Sequence, residues 1–210
     1  MRGRFISFEG GEGSGKSTQA RLLADLLRGL GHDVVLTREP GGTPGAEALR
    51  ALLVTGDAER WSPWAEACIV NAARADHVDR VIRPALARGD WVICDRYVDS
   101  TRAYQGAGKG LADADLCALH AQISGNLWPD LTLVLALPPQ EGLARASSRS
   151  IGVAASASEA RFEGHDADFH ARVAAFFGSL PEREPARCHA IAADRSADAI
   201  AADIAALVAG

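Results

Sequence analysis

Residues 8–18 read FEGGEGSGKST, and positions 10–15 hold four glycines, Gly10, Gly11, Gly13 and Gly15, directly ahead of Lys16. In mid-domain such a run costs conformational entropy without any packing gain, so the bare backbone needs a use. Gly10-x4-Gly15-Lys16-Ser17 has the spacing of a phosphate-binding loop. Backbone N–H groups from Gly10 through Glu12, Ser14 and Gly15 would turn inward around phosphate oxygens. The helix opening at Lys16, Ser17 and Thr18 would aim its positive end at the same anion. Lys16 adds a compact charge for the β- and γ-phosphates, where a guanidinium would be too bulky and planar. Only two of the 22 basic residues are lysines, Lys16 and Lys109, so lysine at this position is a requirement rather than a habit of composition. Ser17 offers a hydroxyl to Mg²⁺. A nucleoside triphosphate with Mg²⁺ is what this motif predicts.

Three further clusters bear on what the nucleotide is used for. TREPGGT (37–43) follows an apolar run and sets Arg38 and Glu39 at the carboxyl end of a strand, where parallel sheets bind ligands. CDRYVDSTRAYQG (94–106) does the same with Asp95 and Arg96. An arginine there suits a bidentate grip on phosphate. Asp95 can order Mg²⁺-bound water or hold Arg96, and the pair could also be a plain ion pair closing a helix start. VNAAR (70–74) puts Val70 and Arg74 one helical turn apart on a common face. The run LTLVLAL (131–137) carries no acid, which leaves Asp95 as the strand-end carboxylate for Mg²⁺ chemistry.

The elements that must position these groups can be read from periodicity. RFISF (4–8), DVVLT (33–37), WVICD (91–95), LTLVLAL (131–137) and CHAIAA (188–193) read as strands. Leu22, Leu23, Leu26, Leu27 and Leu30 form one helical stripe that Gly31 ends. A helix is expected over about 44–54. A long one starts with Ser62 and Pro63 as cap and first turn, and Pro84 should kink it. The last helix starts near Ser196 and buries Ile200, Ile204 and Leu207. Strands apolar on both faces, alternating with helices, predict an α/β three-layer sandwich around a five-stranded parallel sheet. The whole chain, 1–210, is expected to be one such domain. ASSRSIGVAASASEA (146–160) has little to pack and is flanked by arginines, so about 146–162 is read as a flexible lid.

Composition narrows the classes. The chain has 210 residues, is 48% hydrophobic and carries a net charge of −5, which disfavours a broad basic footprint for nucleic acid. Of the four cysteines, Cys68, Cys94 and Cys188 have apolar surroundings and none has metal-ligand spacing. Buried thiols in a reducing compartment follow. The N-terminus has no signal-like apolar stretch and no apolar run reaches membrane length, so a cytoplasmic protein with no membrane partner is expected.

FEGGEGSGKSTQ, TREPGGT, ARGDWVICDRYVDSTRAYQGAGKG, PDLTLVLAL and RFE occur in this order, and together they resemble the thymidylate kinases over nearly the whole chain. The glycine loop is shared by many ATPases; TREPGGT with DRYVDSTRAYQG is far more specific. The resemblance implies a P-loop fold, Mg²⁺-dependent transfer of the ATP γ-phosphoryl group to dTMP, and a homodimer. It implies that Gly10 through Ser17, with Thr18, hold the donor, and that Ser17 and Asp95 hold Mg²⁺ partly through water. Arg38, Arg74 and Arg96 would surround the acceptor monophosphate, and Glu39 and Ser100 would also bind the substrate. Thr101 and Gln105 would lie along the thymine edge, and Tyr104 beside the sugar where a 2′-hydroxyl would clash. Lys16, Asp95 and Arg96 would serve catalysis. Glu12 matches the bacterial variant in which the lid supplies the catalytic arginine, with Arg149 and Arg161 as the matching candidates.

Two departures stand out. Relatives carry Phe where this chain has Val70, and that ring stacks on the base; base–aromatic stacking is worth ~1–3 kcal/mol. The lid has Ser147 where a further Arg is common. The rival readings are a kinase for another deoxynucleotide or a nucleoside, a P-loop ATPase that moves a partner, and an inactive nucleotide-binding module. A nucleoside kinase has no use for several acceptor-side arginines, a switch ATPase wants an acid on the fourth strand, and an inactive module need not keep Lys16, Ser17, Asp95 and Arg96.

Overall fold

The computed structural model describes residues 3–57, 59–150 and 165–209, with the backbone alone over 146–150. Five parallel strands, β1 (Phe5–Glu9), β2 (Val34–Arg38), β3 (Trp91–Asp95), β4 (Leu131–Ala136) and β5 (Cys188–Ala192), form one sheet in the order β2-β3-β1-β4-β5. All five strands lie where the apolar runs predicted, with ends shifted by one residue or less. The register sets Phe8 and Arg38 each opposite Asp95, and Val134 opposite Glu9. The ends of β1 to β3 therefore share one rim.

Alternation along each strand explains why both faces are covered. Ile6, Phe8, Ile93, Leu133 and Leu135 pack with Leu23 and Leu27 of α1 (Lys16–Gly29) and with Ile200 and Ile204 of the last helix. Phe5, Val92 and Cys94 point the other way, against Val78, Ile82, Leu86 and Tyr97. A parallel sheet with apolar side chains on both faces has to be enclosed in this manner.

Helix α2 (Pro44–Val54) is capped by the Thr43 hydroxyl, which accepts from Ala46 N–H at 3.0 Å, and α3 (Pro63–His77) by Ser62. α3 does not stop at His77. It passes through a π-helical turn, Val78–Ile82, into α4 (Arg83–Arg88). Pro84 has no N–H and its ring crowds the carbonyl four residues back; the widened turn just before it is the form the expected kink takes. Beyond β3, α5 (Val98–Thr101) runs into a second π-helical stretch, Arg102–Gly108, followed by α6 (Asp113–Ser124). Among the described residues the remaining helices are α7 (Pro139–Ser150), α8 (Ala167–Arg183) and α9 (Ala197–Ala209). No helix among the described residues is long and apolar enough to cross a membrane.

Two expectations, for the last helix and for Cys68, need correction, and the α1 stripe is buried along one side only. Of the leucine stripe on α1 only Leu23 and Leu27 are buried, while Leu22, Leu26 and Leu30 are 37%, 42% and 66% exposed. Five positions span more of the helix circumference than a flat sheet can cover, so the flank faces outward. In α9, Val208 is buried with Ile200 and Ile204, and Leu207 is only partly covered. Cys68 is exposed, because α3 turns Ala67, Val70 and Arg74 inward and Cys68 away. Cys94 and Cys188 are buried as expected.

Candidate active site

The glycine loop joins β1 to α1 and its backbone shows why side chains are excluded. Gly10 has φ 135°, and a Cβ there would lie 2.6 Å from the Leu135 carbonyl oxygen; Gly13 has φ 68° and meets the Gly142 backbone of α7. Gly15, at φ 91°, is the N-cap of α1. Lys16 Nζ donates to Gly11 O at 2.6 Å and to Ser14 Oγ at 3.3 Å, so the ammonium lies over the loop it is expected to serve. Ser17 Oγ donates to Asp95 Oδ2. A hydroxyl and a carboxylate in contact beside a phosphate loop fit Mg²⁺, which takes one or two protein oxygens and completes its shell with phosphate and water. Thr18 follows in the first turn.

Beside the loop a cleft opens at the carboxyl rim of β1 to β3. It is lined by Glu12, Ser17, Arg38, Glu39, Val70, Arg74, Asp95, Arg96, Ser100, Thr101, Tyr104 and Gln105. Every acceptor-side residue expected from the sequence is therefore in one place. Arg96 adopts the left-handed conformation, φ 68°, which is rare for a side-chain-bearing residue and found where a site requires it. From there its guanidinium donates to Gly10 O at 3.0 Å, Ser100 Oγ at 3.1 Å and Glu12 Oε1 at 2.8 Å. Glu12 Oε1 also accepts from the Tyr104 hydroxyl at 2.7 Å, and Arg96 lies 5.1 Å over the Tyr104 ring. Burial alone would raise the Glu12 carboxyl; the charges of Arg96 and Lys16 and the hydrogen bonds outweigh it and hold it down at about 2. Glu9, behind Ser100, behaves in the opposite sense. Burial and the nearby Asp99 push its carboxyl up to about 8, although Tyr97 N–H and Ser100 Oγ donate to it.

The three arginines are not equivalent. Arg38 is exposed at the mouth and reaches Glu47 at 3.2 Å. Arg74 is 1% exposed and enclosed: Nε donates to Glu39 Oε2 at 2.8 Å, Nη1 to Asn71 Oδ1 at 3.0 Å and Nη2 to Thr101 Oγ1 at 2.9 Å. Glu39 also meets His77 Nδ1 at 3.1 Å, and His77 Nε2 contacts Thr37 Oγ1 at 2.7 Å. Glu39 thus braces Arg74. Burial opposes ionisation of Glu39, but Arg74 and His77 still hold its carboxyl below the usual range.

Sequence reasoning missed Arg50, Pro40, Val54 and Tyr97, which also line the cleft, and the supporting Asn71, His77 and Glu66. A signal was present for part of this set. Glu66, Val70 and Arg74 recur every four residues on α3, and all are buried, so a carboxylate on that stripe faces the same region as Arg74. The lid arginines cannot be placed: the side chain of Arg149 and all of Arg161 lie outside the described residues. Among the described residues no cluster of three or more His, Cys, Asp or Glu forms a metal cage.

Comparison with known proteins agrees with this geometry. The family model described as thymidylate kinase matches residues 8–204. The chain is 54% identical to the thymidylate kinase of Caulobacter vibrioides over 203 residues, 97% of this chain and 94% of that one. It is 50% identical to that of Rhizorhabdus wittichii, covering 96% and 95%. A crystal structure of thymidylate kinase from Ehrlichia chaffeensis superposes with a TM-score of 0.77 at 30% identity, covering 99% of both chains. With the family model matching residues 8–204 and relatives 50% and 54% identical along nearly their full length, the chain belongs to the thymidylate kinase family.

Proposed function

We infer that the chain transfers the γ-phosphoryl group of ATP to dTMP, giving dTDP and ADP, with the glycine loop as donor site and the adjoining cleft as acceptor site. The carrying observation is that Arg38, Arg74 and Arg96 border one cleft that also contains Ser17 and Asp95 beside the loop. Phosphoryl transfer asks little covalent chemistry of a protein; it needs in-line positioning and compensation of charge on the moving group. Lys16 meets the donor phosphates. Arg96, pinned to Gly10 O and Ser100, grips the acceptor phosphate, and Arg38 joins it from the mouth. Val70, Thr101 and Gln105 form the base end, and Tyr104 closes the sugar side. Ser17 and Asp95 would hold Mg²⁺, partly through water, and bound there it offsets phosphate charge.

We read 1–210 as one kinase domain with a lid over about 146–162, from which Arg149 or Arg161 reaches the transferred group. The lid assignment rests on the sequence. The homodimer is supported by Leu52 and Trp64, large apolar side chains left 40% and 44% exposed on the adjacent helices α2 and α3. Four free cysteines suit a cytoplasmic protein.

The test is ADP release measured with dTMP, dUMP, dGMP, thymidine or no acceptor. Turnover should require a monophosphate and be best with dTMP; equal hydrolysis without acceptor would mean a switch ATPase. In the same assay, alanine at the true lid arginine should cut kcat ~10³-fold, and near-normal kcat in the double alanine variant would remove the lid from the mechanism.

Val70 gives a second measurable outcome. It packs with Leu53 and Val54 at the base end and has no ring to offer. Val70→Phe should lower the KM for dTMP roughly tenfold, the lower part of the ~1–3 kcal/mol range for base stacking, with kcat changed little, as for uniform binding. An unchanged KM in a folded variant would place the base elsewhere.

A further inference from the structure

Lys109, the second of the two lysines, and Glu66 have no part in the steps above. Glu66 is fully buried on α3, and both of its oxygens are engaged from the π-helical segment and its end. Gln105 Nε2 donates to Oε1 at 2.7 Å, and Lys109 Nζ reaches Oε2 at 3.1 Å, itself only 8% exposed. A buried ion pair is poor evidence for a stability role, since desolvating both charges offsets much of their attraction. Its position suggests another use, because Glu66 shares the α3 stripe with Val70 and Arg74, and Gln105 lines the cleft beside them.

A carboxylate can only accept hydrogen bonds, so the face of the Gln105 amide turned to Glu66 must be its NH₂. The orientation of the amide is thereby set by chemistry. The planar group then carries its carbonyl oxygen away from Glu66, and among the described residues no donor pairs with that oxygen. We propose that Glu66 and Lys109 are positioning residues that lock the Gln105 carbonyl toward the cleft, so that the site favours a pyrimidine whose N3 carries a hydrogen. The inference rests on the reading of the cleft as a nucleotide acceptor site. Thymine and uracil present N3–H to such an acceptor. Cytosine presents a bare N3 lone pair, and two acceptors face each other.

Replacing the carboxylate by an amide inverts the logic. In Glu66→Gln, Lys109 keeps the new carbonyl oxygen, the new NH₂ faces Gln105, and Gln105 must turn over and aim its own NH₂ at the base. The experiment measures kcat and KM for dTMP and dCMP by ADP release in the wild type, Glu66→Gln and Lys109→Met, with melting curves for each. The KM of Glu66→Gln for dTMP should rise about tenfold and more than kcat falls. Its kcat/KM ratio of dTMP to dCMP should drop by at least about tenfold, the size expected when a site built for one hydrogen-bond polarity meets the other. Lys109→Met, which loosens the pair without inverting it, should lower the ratio about threefold. A folded Glu66→Gln enzyme with the wild-type ratio overturns the proposal. If that variant does not fold, an unchanged ratio in Lys109→Met overturns it. Failure of the wild type to use dTMP at all would instead overturn the acceptor-site reading.

Discussion

Lys16→Ala should lower kcat by ~10³-fold while leaving the unliganded fold intact. The ammonium lies over the glycine loop, donating to Gly11 O and Ser14 Oγ and helping to hold the Glu12 carboxylate ionised; water can serve the two acceptors and Arg96 still faces Glu12 once the side chain is gone. Its charge matters when phosphates enter, where removal of one preorganised stabiliser of developing charge typically costs 10²–10³-fold. Far-ultraviolet circular dichroism should be unchanged and the melting temperature should move by only about 2 °C, the equivalent of a fraction of a kcal/mol to one for a chain of this size. Normal turnover, or a collapse in melting temperature without ligand, would show that Lys16 serves the fold and not the donor.

Arg96→Ala should fail in two separable ways. Turnover should fall by two orders of magnitude or more, because the guanidinium that meets the acceptor phosphate is gone. Stability should fall by ~3–5 kcal/mol, since Glu12, 9% exposed, would keep its charge without its main partner. That corresponds to a melting temperature about 10 °C lower. The double variant Arg96→Ala/Glu12→Gln should recover most of the stability and none of the activity. Recovery of both, or of neither, would contradict the assignment. The same pair predicts acid behaviour. The folded Glu12 carboxyl sits at about 2, below its ordinary 4.5, so the unfolded chain takes up the proton first. Stability contributed by Glu12 is complete above pH 4.5 and is lost as pH falls toward 2. Glu12→Gln should remove that segment of the acid unfolding curve, and an identical curve from pH 5 to 2 would contradict the pKa assignment.

Sequence reasoning read the strands well because each is a short, largely apolar run, and β1, β3 and β4 are buried along most of their length on both faces, a pattern independent of partners. It read the glycine loop well because phosphate cradling dictates residue type at fixed spacing. It was weaker wherever the deciding contact crosses the chain. Leu22, Leu26 and Leu30 look like Leu23 and Leu27 until the width of the sheet is known. The bracing of Arg74 by Glu39, Asn71 and Thr101 joins three segments, and no local pattern announces it. Glu66 and Lys109 lie 43 positions apart and meet only through the tertiary fold. The lid assignments, Arg149 and Arg161, rest on composition and resemblance alone.

The place of β1 has a consequence for synthesis. It is made before the other four strands and is the central one in the sheet, yet Phe5 pairs with Val92 and Ile6 with Leu131. Neither edge of FISFE can be closed by anything made soon after it. For most of the time the chain is emerging from the ribosome, an apolar strand and the glycine loop beyond it remain without their neighbours, and α1 alone can shield one side. Distant pairing of this kind slows folding and leaves an edge open to other chains. Truncated products ending before β3 should therefore aggregate or engage chaperones, whereas those that extend past β4 have both edges of the donor-site strand sealed.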